Sequence, residues 1–468
     1  MERQQLRIKQ LLILVGMLAS IFITTNAFAT STQDDVFQTV AEGSLAQVQQ
    51  FITQYPKSIS QKDEAGVTPL MVAALKNPDP RVILFLLSKG AKVEEADRYG
   101  FTPLMVAANN NPNPEIVQTL LNKGANIHKR TFGGVTSIMW AARNNGNVEV
   151  IRVLLKAGAK VNETNNRGIT ALMMAAGNNP HVPILEELLK NGADLQARDK
   201  DEKTAILHAS EGNSNSETVS FLLKKGARLT DKDQDGFSPL FTAAARNTNP
   251  GMITALVQAG AKVNEPINNL ITPLMLASGY NPNPAVVSVL LKNGANIHAK
   301  NTIGLTALIS AAGFNGAPEV IDILINAGAK VNEPDERGYT SLMWAAGANP
   351  IAEVTAAILK AGGKINDTNK DGYTAIYMAA AQNPNPEIIS LLVKAGAKIN
   401  GRLPDGGTPL LAAAATSSNP AVIYRLLSLK ADKTVINKEG KNAVALLKTN
   451  QELKKSMEYA KLEKELTP

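Results

Sequence analysis

Apolar residues recur along this chain in short helical stripes separated by polar breaks. Between Thr102 and Ala108, Leu104, Ala107 and Ala108 fall at i, i+3 and i+4, one face of a helix. Thr102 can cap that helix, and Pro103 suits its first turn, where a missing N–H costs nothing. Asn111-Pro112-Asn113-Pro114 breaks the stripe. Glu115 then opens a second helix with Ile116, Val117, Leu120 and Leu121 on its apolar face, and Gly124 ends it as a left-handed cap. The polar stretch Ala125 to Gly134 reads as a turn or hairpin leading into the next helix.

This unit repeats. Thr68-Pro69-Leu70-Met71-Val72-Ala73-Ala74 returns 34 residues later as Thr102-Pro103-Leu104-Met105-Val106-Ala107-Ala108. The frame then continues without slip through Thr136, Thr170, Thr204, Ser238, Thr272, Thr306, Thr340, Thr374 and Thr408. A glycine stands two residues before most of these positions; Glu202 and Leu270 are the departures. A second glycine, at Gly90 in the first unit, fails only at Lys430. Neither short helix can bury its face alone, so the units must stack. The predicted organisation is a linker and degenerate capping unit over 30–66, eleven repeats over 67–440, and capping helices over 441–468. Phe37, Val40, Val48, Phe51 and Ile52 would cover one end. Leu453, Met457, Leu462 and Leu466, on one side of a charged helix, would cover the other; a short dimerisation helix is the rival reading of that tail.

The string Gly-x-Thr-Pro-Leu-x-x-Ala-Ala, followed by Glu-Ile-Val-x-x-Leu-Leu-x-x-Gly-Ala-x-Ile, resembles the ankyrin repeat. The resemblance implies an all-α, helix-turn-helix solenoid with short hairpin or turn fingers between repeats. Two features depart from the family pattern. The histidine that follows Thr-Pro-Leu is replaced by Met71, Met105, Met139, Met173 and other largely apolar residues, so an apolar contact is expected there. The loop between the helices is one residue longer, and one of its slots is Asn in ten of eleven units, from Asn77 to Asn383. Asparagine tolerates unusual backbone and bonds neighbouring main chain, so a ladder joining adjacent loops is expected.

Composition agrees with close helix packing: apolar residues are 44% of the chain and aromatics only 4%. The first residues add an expectation about location. Arg3, Arg7 and Lys9 precede an apolar run from Leu11 to Thr25, and Ala27-Phe28-Ala29 offers a cleavage point. Residues 1–29 therefore read as a signal peptide, with an uncleaved anchor as the alternative. The expectation is export to the periplasm or the extracellular space, with no stable membrane insertion after cleavage. There is no cysteine, hence no disulfide and no thiol nucleophile. The formal charge is +7, about +5 without the leader, too dilute over this length to argue for nucleic acid.

Candidate chemistry is sparse, and the reading is of a non-enzyme with no catalytic residues, cofactor or metal. His128 and His298 occupy the same repeat slot five units apart, too far to share a metal, and no phosphate loop or nucleophile elbow is present. Asp231-x-Asp233-x-Asp235-Gly236 matches the opening of a calcium loop. Its closing position holds Thr242 where a bidentate Glu is needed, so ordinary turn chemistry is expected. Lysines near the ends of second helices, such as Lys89 and Lys123, complement the helix dipole; an anionic-partner stripe is the alternative.

Helix geometry places one column opposite the Leu104 face: Val72, Val106, Trp140, Met174, His208, Thr242, Leu276, Ser310, Trp344, Met378 and Ala412. It is expected to point outward. Tyr99, Phe101, Phe132, Phe237, Tyr339 and Tyr373 flank the repeat glycines, and Tyr280 and Phe314 end first helices. By resemblance to ankyrin arrays, these positions line the concave surface used for partners. The candidate binding residues are Trp140, Met174, His208, Trp344, Met378, Tyr99, Phe101, Phe237, Tyr280, Phe314, Tyr339 and Tyr373. Packing between adjacent turns is the competing role for the aromatics beside glycine. The expected function is a monomeric, exported scaffold that binds a protein partner. A secreted binder of envelope polysaccharide, or a host-directed factor, is the alternative.

Overall fold

The computed structural model describes residues 34–467; the leader and its cleavage point lie outside them. Each repeat begins as its sequence dictates. Thr102 has extended backbone, its hydroxyl accepts the Met105 N–H at 3.4 Å, and Pro103 takes the first helical position. The first helix, Pro103–Asn110, and the second, Pro114–Asn122, have 8 and 9 residues. Helices this short are not stable alone in water, so packing decides their formation. Asn113 caps the second helix by accepting the Glu115 N–H at 3.0 Å. The end is closed as in the first unit, where Gly90 has φ +98° and the Ala91 N–H reaches back to the Leu86 carbonyl at 3.1 Å.

The described residues form 26 α-helices and no strand; Thr164–Thr170 and Ile267–Ile271 make isolated bridges. The fingers are therefore turns. Asp97 shows their construction: its N–H bonds the Phe101 carbonyl at 3.0 Å, and its Oδ1 accepts the Tyr99 and Phe101 N–H groups, both at 2.8 Å. The chain divides into two compact units. One holds the described residues up to Ala175 with Pro183–Asp194, the other Ala176–Val182 with the described residues from Leu195.

In the first unit, Leu104, Met105, Ala107 and Ala108 are buried with Ile116, Val117 and Leu120. The alanines let neighbouring first helices approach closely. Each buried Leu, Ile or Met contributes roughly 1.5–3 kcal/mol relative to exposure, which offsets the ordering of the short helices. The methionine slot is apolar as expected, with a polar remnant at two places: the Met71 and Met173 sulfurs accept the Thr68 and Thr170 N–H groups, both at 3.5 Å. Asn77, Asn111 and Asn145 are buried, and each donates twice to the preceding loop. Asn111, for example, bonds the carbonyls of Ala74 and Asn77 at 3.0 Å. Val36, Val40, Val48 and Ile52 close the N-terminal cap from helices Asp34–Glu42 and Leu45–Gln54, with Phe37 and Phe51 half-buried beside them.

The second unit repeats these devices. Asn213, Asn247, Asn281, Asn315, Asn349 and Asn383 form its ladder. Where glycine is missing, Glu202, Leu270 and Lys430 adopt positive φ themselves. Gly304 shows why glycine is otherwise kept: a Cβ there would lie 2.7 Å from the Glu336 nitrogen of the next finger. The C-terminal cap comprises Ala443–Leu447, a 3-10 turn Leu453–Lys455 and Tyr459–Leu466, so the charged helix expected to carry Leu453 to Leu466 on one side is interrupted. Leu453, Leu462 and Leu466 are buried, whereas Met457 is fully exposed, because it lies in the turn between the two latter elements.

Candidate partner-binding face

The column expected to point outward is mostly closed. Trp140, Met174, Thr242, Ser310, Met378 and Ala412 are buried, and Val72, Val106, His208, Leu276 and Trp344 are partly buried. Each first helix has first helices beside it, and large column side chains fold over onto them. Small residues in the preceding repeat make room. A Cβ on Gly313 would touch the Trp344 ring at 3.2 Å, and one on Gly347 would touch Met378 at 3.2 Å. Finger aromatics complete the cover: Phe101 lies 4.9 Å from Trp140 between ring centres.

In two repeats the finger ties the column's polar atom inward. In the repeat opened by Thr340, Asp335 uses Oδ1 for the Arg337 and Tyr339 N–H groups and Oδ2 for the Trp344 indole N–H at 3.1 Å. Four repeats earlier Asp199 divides its oxygens the same way, with His208 Nε2 at 2.9 Å from Oδ2. Burial raises the Asp199 carboxyl, but the His208 contact and backbone donors outweigh it and hold the group below its ordinary value. In the Trp140 repeat the Asp position is Thr131, and the buried indole N–H of Trp140 has no partner.

The open members of the candidate set form a cluster in the second unit. Tyr280 and Phe314 are 59% and 44% exposed and stack at 5.7 Å with planes 13° apart. Phe314 lies 5.7 Å from Trp344, and Tyr339 lies 6.1 Å from Trp344. The Arg337 guanidinium sits 5.5 Å above Tyr339. The structure thus brings four of the candidate residues into one aromatic surface. Tyr373 is apart from it, stacked on Tyr377 at 4.9 Å. Burial, Tyr373 and Asp405 push the Tyr377 phenol up to about 12. Phe237 packs on Phe241 at 6.0 Å. Tyr99 is partly buried beneath the Arg98 guanidinium, 5.7 Å away.

Sequence reasoning missed Arg143, whose guanidinium lies 5.9 Å from the Trp140 ring centre. Its i+3 spacing from Trp140 was the available signal. Phe132 proves the most open finger aromatic, 77% exposed between Thr131 and two glycines. The acidic turn at Asp231 is engaged in structural bonds: Asp233 Oδ1 accepts the Asp235 and Phe237 N–H groups, and Asp231 accepts the Thr204 hydroxyl at 2.9 Å. Among the described residues no group of three His, Asp or Glu side chains could hold a metal, and no helix is long and apolar enough to cross a membrane.

The family of ankyrin repeats (three copies) matches residues 36–131, 138–233, 172–269, 214–301, 274–366 and 351–437. The chain belongs to the ankyrin repeat family. The human ASB11 ankyrin repeat domain, known from a crystal structure, is similar to this ankyrin repeat protein at 26% identity. That likeness covers 49% of this chain and 99% of the other, with a TM-score of 0.42. No curated protein matches the chain. Ankyrin repeats are general protein–protein interaction modules, and the family is typically a non-enzymatic scaffold.

Proposed function

We propose that this ankyrin repeat protein is an exported scaffold that captures a protein partner through its first-helix and finger face, with Tyr280, Phe314, Trp344 and Tyr339 as the anchor. The observation that carries the reading is the exposed, stacked pair Tyr280 and Phe314 backed by a Trp344 held in place by Asp335. Rigid, partly open aromatics lose little freedom on binding and dominate interface energetics. Fold alone names no partner, so the reading rests on this cluster. Export rests on the leader, with Arg3, Arg7 and Lys9 ahead of the apolar run and Ala29 at the expected cut.

The test is affinity capture from envelope extract and culture medium with the mature chain, beside a Tyr280→Ala, Phe314→Ala double variant. Both side chains are exposed, so folding should survive while specifically captured proteins are lost. Equal capture by the folded variant would refute the anchor. The mass of the purified native protein checks export: a chain beginning at Thr30 is expected, and a cytosolic chain retaining Met1 would overturn it. The same flat rings also favour a second reading, a sugar polymer stacked on Tyr280 and Phe314. Retention on envelope polysaccharide resin without any protein partner would select it.

A further inference from the structure

Within the first unit one locus is short of a carboxylate. Arg81, Arg130 and Arg152 of that unit pair with Asp79, Glu163 and Glu187. Arg143 is partly buried, yet no ion pair or side-chain hydrogen bond engages it among the described residues. Burial without a counter-ion pulls its guanidinium below its ordinary value. Beneath it lies Trp140, more than nine-tenths buried, whose indole N–H has no acceptor. Two sibling repeats supply an aspartate oxygen at this place, from Asp199 and from Asp335. This repeat has Thr131 there, whose hydroxyl serves the Val135 N–H at 3.2 Å. Around the locus, Asn144 donates to Asn109 at 2.7 Å, and Asn109 donates to Asn110, so the neighbouring side chains are neutral amides.

We infer that Arg143 and Trp140 form the seat for an acidic side chain of the partner protein. An incoming Asp or Glu carboxylate pairs with the Arg143 guanidinium and supplies the negative charge this repeat lacks. The carboxylate of a bound partner makes a charge-assisted, bidentate contact, the geometry arginine favours. The cation is already stripped of much of its water and stacked on an indole, so little further desolvation accompanies binding. This inference rests on the protein-binding reading above and names the chemistry of a second contact, in the other unit.

The experiment uses the mature chain carrying Trp344→Phe, which leaves Trp140 as the sole tryptophan reporter. Its emission is titrated with a tetraglutamate peptide blocked at both ends, and with tetraglutamine and tetralysine counterparts. The expected result is a saturable change with tetraglutamate only, weakened at least about tenfold by Arg143→Met and by raised salt, and partly kept by Arg143→Lys. Arg143→Met keeps an unbranched side chain over the indole, and its melting curve verifies folding; were it unfolded, the Arg143→Lys and salt arms decide. No response to tetraglutamate, or an equal response in folded Arg143→Met, overturns the inference. A response to the blocked tetraglutamine peptide equal to that with tetraglutamate overturns the side-chain assignment. Partner capture that needs Tyr280 and Phe314 but ignores Arg143→Met would sink this seat and leave the scaffold reading standing.

Discussion

At the scale of single residues, the finger aspartates Asp199 and Asp335 each have two oxygens and two tasks. Oδ1 of Asp335 holds the turn, and Oδ2 fixes the side chain of the helix that follows. Thr131 has one oxygen and performs only the first task, which leaves Trp140 with an unmet donor. Thr131→Asp should therefore stabilise the protein by about 1 kcal/mol through a new hydrogen bond. A thermal melt checks this; a lower midpoint would mean that burying the carboxylate costs more than the bond returns. The identity of Trp140 and its place in the repeat were legible from the chain, but its burial was not. The helical angle located it opposite the Leu face, and that angle carries no information about Phe101 folding over it from the preceding repeat.

Between elements, the asparagine ladder does what the loop spacing predicted. Asn281 is fully buried, donates to the Ala244 and Asn247 carbonyls at 3.0 and 2.9 Å, and accepts the Asn283 N–H at 3.0 Å. Asn281→Ala should cost about 2–3 kcal/mol, since it strands two buried carbonyls. Asn281→Asp should be worse at neutral pH, because a carboxylate would face those carbonyls with no donor. Urea titrations of the two variants rank them, and equal midpoints would contradict the ladder's energetic role. A second tie was not predicted. Glu211, at the end of the helix Ala205–Gly212, pairs with Lys203 and with Arg246 of the next repeat. Burial raises its carboxyl, but the two cations outweigh it and hold it below its ordinary value. With the folded pKa depressed, the unfolded chain binds the proton first, so this stabilisation is full above the unfolded value near 4.3. It is lost as the pH falls through the folded one. Melts from neutral to acid pH should show Glu211→Gln destabilised at neutral pH and less sensitive to acid than the natural chain.

For the whole molecule, stability is a sum over repeats and their interfaces, and the ends need covers. The C-terminal cap buries Leu453, Leu462 and Leu466. Deleting residues 441–468 should uncover the apolar surface of the last repeat. Increased binding of a hydrophobic dye and a lower melting midpoint are expected, and an unchanged melt would show the cap to be dispensable. The binding surface also belongs to this scale. Tyr280, Phe314, Tyr339 and Trp344 span residues 280 to 344, and only the stacking of repeats makes them neighbours.

The sequence by itself determined the 34-residue period, the helix starts at Thr-Pro, the glycine-closed ends and the joining of loops by asparagine. These depend on local backbone chemistry that recurs, with a few substitutions, along the array, so one reading serves most units. Tertiary structure alone decided which surface is open. It closed most of the Trp140 column, broke the tail so that Met457 faces water, and left Arg143 without a carboxylate. Exposure depends on what the neighbouring repeat places at each spot, and glycine at 313 or threonine at 131 acquires its meaning only against the side chain it meets.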